Sequence, residues 1–225
     1  MAEEEVAARA GHGGADACAE AVVRAYAWWE MMRARQLALQ GPRHPAPQPA
    51  NRFQHSAALI THRHRGVTTP NADTLYSAAW MDLADGPVLL EVPASDLAYW
   101  SIAVMNLHTD HDALVGPRDG MAAPDGSRRV ALCPPGYDGP VPAGARRVQA
   151  RTRVLWLLGR YLTGDEPVRE RADALRRAVT LRRIGPDGRP GAEAAVPTAA
   201  LPVARRQSVA NFLLLVNHAL QEDPA

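Results

Sequence analysis

The sequence predicts an α+β fold, a largely antiparallel β-sheet domain flanked by N- and C-terminal helices. Two observations carry that expectation. Apolar residues recur at helical spacing near both ends of the chain, whereas residues 58–160 consist of short apolar runs cut by Gly, Pro and Asp. Turn signals also follow one another too closely for parallel crossovers, which need a dozen or more residues each. At 225 residues the chain can bury one full core and is short for two, so 1–225 reads as a single domain.

Between 15 and 40 the positions Ala19, Val22, Val23, Tyr26, Trp29, Met32 and Leu37 mark an amphipathic helix that Gly41-Pro42 ends. The Pro-rich stretch 41–50 is an extended connector, because Pro removes a donor and restricts its neighbour. The β-rich core spans 51–162, with strands expected near 75–82, 87–92, 99–106, 128–133 and 146–158. Asp85-Gly86-Pro87 and Pro124-Asp125-Gly126 supply turns. A charged helix is expected over 166–183, with its charge run as a solvated face. A Pro/Gly-rich covering loop follows at 185–204. A last helix is expected over 203–222 within the helical C-terminal region 166–222, and its Phe212-Leu213-Leu214-Leu215-Val216 run requires a cover.

Polar groups crowd one strand entrance, Pro70-Asn71-Ala72-Asp73-Thr74-Leu75-Tyr76-Ser77. Asn and Asp beside Pro bond their side chains to the backbone and favour a turn, and capping is one reading of Asp73. The other is acid/base work by Asp73 on a bound substrate whose oxygen Tyr76 or Asn71 would hold, with Thr74 beside them. Tyr76 reads equally as a buried phenol bonded to backbone. Arg160 ends an apolar strand, where it suits either an acidic substrate or an ion pair with Asp73 or Asp82. Trp80, Trp100 and Trp156 would wall the site. His62/His64 and His108/His111 have ligand-like spacing, but no recognised metal motif accompanies them, and no metal is assigned.

Asn51 and His55, the Pro70–Tyr76 stretch, Trp80-Met81-Asp82-Leu83, Gly86–Pro93, Tyr99-Trp100, the Asn106–Gly116 segment, Pro134-Pro135-Gly136 and Trp156–Arg160 occur in one ordered series. Over roughly residues 50–165 this series resembles the domain of unknown function 1254 family. The resemblance implies a mostly β domain with flanking helices, followed in longer members by a second, jelly-roll-like domain. It implies here a stand-alone first domain whose final helix is Phe212–Pro224, and no established reaction. It adds His55 as the imidazole of the site, Asn51 in the same segment, and Asn106 at the end of a following strand.

A formal net charge of +1 offers no field for nucleic acid or an anionic membrane, and no apolar run reaches the ~20 residues that span a bilayer. The acidic Met-Ala-Glu-Glu-Glu-Val start is unlike a signal peptide, which points to a cytoplasmic protein. Two cysteines, Cys18 and Cys133, make neither a disulfide framework nor a zinc site. Lysine is absent, which removes Schiff-base catalysis; phosphate-loop, dinucleotide and nucleophile-elbow motifs are absent too. The expected function is therefore a cofactor-independent enzyme acting on a small organic molecule. Its site would combine His55, Asp73 and Tyr76 as acid/base groups with Asn51, Asn71, Thr74, Trp80, Asn106 and Arg160 as substrate contacts; hydrolase, lyase, isomerase and cyclase chemistry all fit. The alternative is a noncatalytic ligand-binding or assembly module, with a second copy or a partner chain covering the last helix.

Overall fold

The computed structural model describes residues 2–63, 71–120, 122–203 and 208–222, and of α1 the side chains from Asp16 onward except Cys18. Its elements are α1 (Ala2–Gln40), β1 (Gln54–His55), β2 (Thr74–Asp82), β3 (Val88–Val92), β4 (Trp100–Asn106), β5 (His111–Val115), β6 (Arg128–Cys133), β7 (Arg146–Gln149), β8 (Val154–Leu162), α2 (Glu166–Ala178), β9 (Thr180–Ile184), β10 (Pro190–Glu193) and α3 (Val209–Glu222). The strands form two five-stranded sheets, ordered β1-β2-β8-β4-β5 and β10-β9-β3-β6-β7. All pairings are antiparallel except β6–β7. The expected α+β class, with helices flanking a largely antiparallel β core, is what the chain forms.

Side-chain alternation decides how the layers meet. Along β2, Leu75, Ala79 and Met81 join Ile102, Val104, Leu155, Leu157 and Tyr161 of their own sheet and Val88, Leu90, Val130, Leu132 and Leu181 of the other in one buried cluster. The sheets are thus stacked face to face, with Ala172 and Leu175 of α2 entering the same core. On the opposite face of the first sheet, Trp80 and Trp156 stack with centroids 5.5 Å apart. They are covered by Trp29, Met32 and Leu39 of α1 and Leu215 and Ala219 of α3. Arg35 of α1, only 3% exposed, fastens the helices down by pairing with Glu222 of α3 and, at 3.7 Å, with Asp82 of β2. Arg153 meets the same two carboxylates at 3.3 and 3.6 Å.

Several boundaries differ from the sequence reading, each for a local reason. The expected strand 146–158 is two strands, separated by a turn in which the Thr152 hydroxyl bonds both Leu107 N and Val154 O. Helix α2 stops at Ala178, because Val179 turns extended and Thr180–Ile184 pairs with β3. Within the expected covering loop, Pro190–Glu193 extends that sheet as an edge strand, where proline is tolerated. Helix α3 begins at Val209, not near 203, and α1 reaches back to Ala2. His62 lies in a turn; His64 and Pro70 lie outside the described residues. The turns at Gly86 and Gly126 occur as expected, both glycines at positive φ. The first of them joins two sheets, so β2 and β3 are not a hairpin. No described helix is long and apolar enough to cross a membrane.

Candidate functional site

A cleft of about 270 Å³ opens between the edge strands of the two sheets, with His55, Phe53, Asn51 and Arg52 on one wall, Leu181 and Glu193 on the other, and Arg177 and Val179 at the end of α2. Strand β1 pairs His55 with Ser77 of β2, so the imidazole lies on the inward side and its Nδ1 is 2.8 Å from Ser77 Oγ. Phe53 stacks on the ring at 6.4 Å. Burial, followed by the charges of Arg176 and Arg177, pushes the His55 pKa below 6.5, while Asp173 opposes them. The imidazole is consequently neutral at pH 7 and able to accept a proton.

Behind His55 lies a polar layer. Arg176, 3% exposed, donates to Ser56 O at 2.7 Å and Tyr76 O at 3.3 Å, and its Nε to Asp173 at 2.7 Å. Arg177 takes the other carboxylate oxygen at 2.8 Å, and the two guanidinium groups hold the Asp173 carboxyl below its usual range, the Arg177 hydrogen bond contributing most. Tyr161 is fully buried, and burial drives its phenol pKa well up against the opposing influences of Ser77 and Arg176. Its hydroxyl faces Ser77 without the alignment of a full hydrogen bond.

The nine sequence-derived residues do not converge. Of the three expected acid/base groups, His55 faces inward, Tyr76 lies on the outward face of the same sheet, and Asp73 is exposed at the turn. Asn71 Oδ1 accepts from Asp73 N at 2.6 Å, so the side chain that caps the turn is that of Asn71, and Asp73 contributes its backbone O, which accepts from Thr163. Asn51 lines the cleft, but its amide is spent: Oδ1 accepts from Asp82 N and Nδ2 donates to Asp82 O, at a left-handed φ of 58° that asparagine tolerates. Asn106 organises the β4–β5 turn, accepting from His108 N and Asp110 N and donating to Asp112. Trp80 is sealed beneath α1 and α3, and Trp100 belongs to the inter-sheet core, so the three tryptophans wall no common site. Thr74, Tyr76 and Arg160 do share the outward face. The expected Arg160 ion pair is not formed, because Asp82 serves Arg35 and Arg153 while Arg160 lies 5.9 Å over the Tyr76 ring.

His108 accepts the Trp28 indole N–H at 2.8 Å and anchors α1, and among the described residues no three His, Cys, Asp or Glu side chains cluster for a metal. Cys133 is buried, which raises its thiol pKa against the pull of Arg147. Sequence reading missed Ser77, Arg52, Arg176, Arg177 and Asp173. Arg176 was legible: it follows Ala172 by four and Leu175 by one, on the helix stripe that enters the core.

A lowered histidine pKa makes stability depend on pH. The unfolded chain takes up a proton below about 6.5 where the folded one does not, so stability is lost as pH falls through that value toward the folded pKa. His55→Asn, whose amide still reaches Ser77, is expected to flatten the fall in Tm between pH 7.5 and 5.5. A slope equal to that of the wild type would contradict the assignment.

Comparison with solved structures places the fold among known proteins. The VPA0106 protein of Vibrio parahaemolyticus matches 91% of this chain with 19% identity and a TM-score of 0.67, the match covering 46% of that chain. A putative uncharacterized protein of Burkholderia cenocepacia matches 89% of the chain with 18% identity and a TM-score of 0.41, covering 48% of it. This chain thus spans less than half the length of either. No curated protein matches it. Residues 50–183 match the family described as protein of unknown function (DUF1254), and with more than half of its length matched the chain belongs to that family.

Proposed function

We propose that the protein binds a small organic molecule in the cleft between the sheet edges and that His55 removes a proton from it. The observation carrying this reading is a neutral imidazole fixed through Nδ1 to Ser77 on the wall of a cleft that also presents Arg52 and Arg177. A base that is uncharged at neutral pH is ready to accept a proton, and the two guanidinium groups favour the anion that remains. The chemistry needs one proton acceptor and no cofactor, which suits an isomerase or lyase step. The test follows the His55 ring by NMR during titration with a panel of small keto acids and hydroxy acids. A member of the panel should shift that resonance, and His55→Asn should weaken its binding at least tenfold. Binding that leaves the ring unmoved, or no binding by any member, would overturn the reading.

A second reading, an assembly module, is favoured by α3. Val209, Leu213 and Leu220 are 39–78% exposed and line one stripe of the helix, with Leu214 exposed beside them and Val22 and Tyr26 exposed on α1. The residues from Val209 to Gln221 include no Lys, Arg, Asp or Glu, so no charge selects an acidic or basic partner. A second copy meets these terms through a self-complementary contact. Light scattering should then give the mass of two chains, and Leu213→Glu the mass of one; a monomeric wild type would end this reading.

A further inference from the structure

We propose a second ligand site on the outward face of the first sheet, where Arg160 and Thr74 hold the carboxylate of a small organic acid. Tyr76 of β2, Arg160 of β8 and Ser101 of β4 stand opposite one another in register, on strands about 4.8 Å apart. Thr74 points to the same face two residues before Tyr76. Arg160 is half-buried with its guanidinium over the Tyr76 ring, and among the described residues no carboxylate meets it. Its five N–H donors are therefore open to an acceptor supplied from solution.

Thr74 gives an independent indication. It is 2% exposed, and its hydroxyl has no hydrogen-bond partner. A buried hydroxyl left unpaired destabilises the free protein, and a ligand oxygen would satisfy it. Beside this row a hollow of about 150 Å³ is lined by Tyr99, Ser101, Leu114 and Arg118, with Tyr99 and Ser101 hydroxyls joined at 3.1 Å. That volume is roughly five waters' worth, enough for the body of a small acid. The fork of Arg160 binds a carboxylate through two parallel N–H bonds, with the Tyr76 ring centroid 5.9 Å from the guanidinium carbon. The site lies on the face of the sheet opposite His55 and stands apart from the proposed proton transfer.

Benzoate is the probe, titrated calorimetrically into the full chain. Arg160→Gln should weaken its binding at least tenfold, and Arg160→Lys should weaken it less, because an ammonium keeps the charge and loses the fork. His55→Asn should leave benzoate affinity within twofold of wild type. Thr74→Val keeps the side-chain shape without the hydroxyl, so it should raise the Tm of the ligand-free chain while lowering benzoate affinity about three- to tenfold. The proposal is overturned by wild-type protein that takes up no benzoate at about 10 mM, by Arg160→Gln or Arg160→Lys binding as wild type does, or by Thr74→Val raising stability with affinity unchanged. Should Arg160→Gln not fold, Arg160→Lys and Thr74→Val decide.

Discussion

Replacing Arg176 by alanine is expected to remove about 3–5 kcal/mol of stability, the cost of breaking a buried, hydrogen-bonded charge cluster from one side. The side chain is 3% exposed and joins three elements: Asp173 of its own helix, the Ser56 carbonyl after β1, and the Tyr76 carbonyl of β2. Alanine leaves the Ser56 carbonyl without its donor, while the Tyr76 carbonyl keeps the Ser56 N–H at 2.9 Å, and it opens the space between α2 and the first sheet. Arg176→Met fills most of that space and should cost less. Urea midpoints of the two variants check this, and equal losses would show that the lost hydrogen bonds outweigh the packing. The same change removes a positive charge beside His55, so the His55 pKa should move up toward 6.5 in an NMR titration.

Arg35→Ala should produce a loss of similar size, about 3–5 kcal/mol, concentrated at the terminal helices. Arg35 is held between Glu222 and Asp82, and Arg153 shares both carboxylates. Without Arg35, Glu222 keeps Arg153 at 3.6 Å and His218 at 3.7 Å, and α1 loses its charged hold on both α3 and β2. Helix α3 also offers an apolar surface that its own domain covers only in part, so packing secures it along one stripe alone. Hydrogen exchange should therefore quicken in 209–222 well before the β2–β8–β4 ladder responds. Uniform acceleration across the chain would show instead that the helices and sandwich unfold as one unit.

The strands with a clear two-residue pattern were legible because one face of each meets the other sheet, as Leu75, Ala79 and Met81 do in β2. Strands β9 and β10 were not: Arg182 and Arg183 continue the charge run of the expected helix over 166–183, and the Pro190-Gly191 pair, on an exposed sheet edge, shares the composition of a loop. Of the nine expected site residues, His55 and Asn51 line the cleft, and the geometry was not legible. The Pro70–Tyr76 cluster looks compact along the chain, yet consecutive strand residues point to opposite faces, and pairing with β1 puts His55 on the side facing away from Tyr76. A charge-rich helix hid Arg177, because charge alone says nothing about its neighbours, whereas the stripe of Ala172 and Leu175 could have found Arg176. The resemblance added His55 and Asn51 to the strand-entrance site but could not show that the Asn51 amide was already committed to Asp82.

Strand β8 has a consequence for how the chain is made. It is the centre of the first sheet, pairing residues 154–162 with 74–82 on one side and 100–106 on the other. During synthesis both neighbours leave the ribosome before the strand that satisfies their hydrogen bonds, and roughly 70 residues must be added after β2 before that partner exists. Until then β2 and β4 present open edges bearing Met81, Ile102 and Val104 to other nascent chains. The first sheet is therefore completed late, and a ribosome pausing before residue 154 would hold the polypeptide in its most aggregation-prone form.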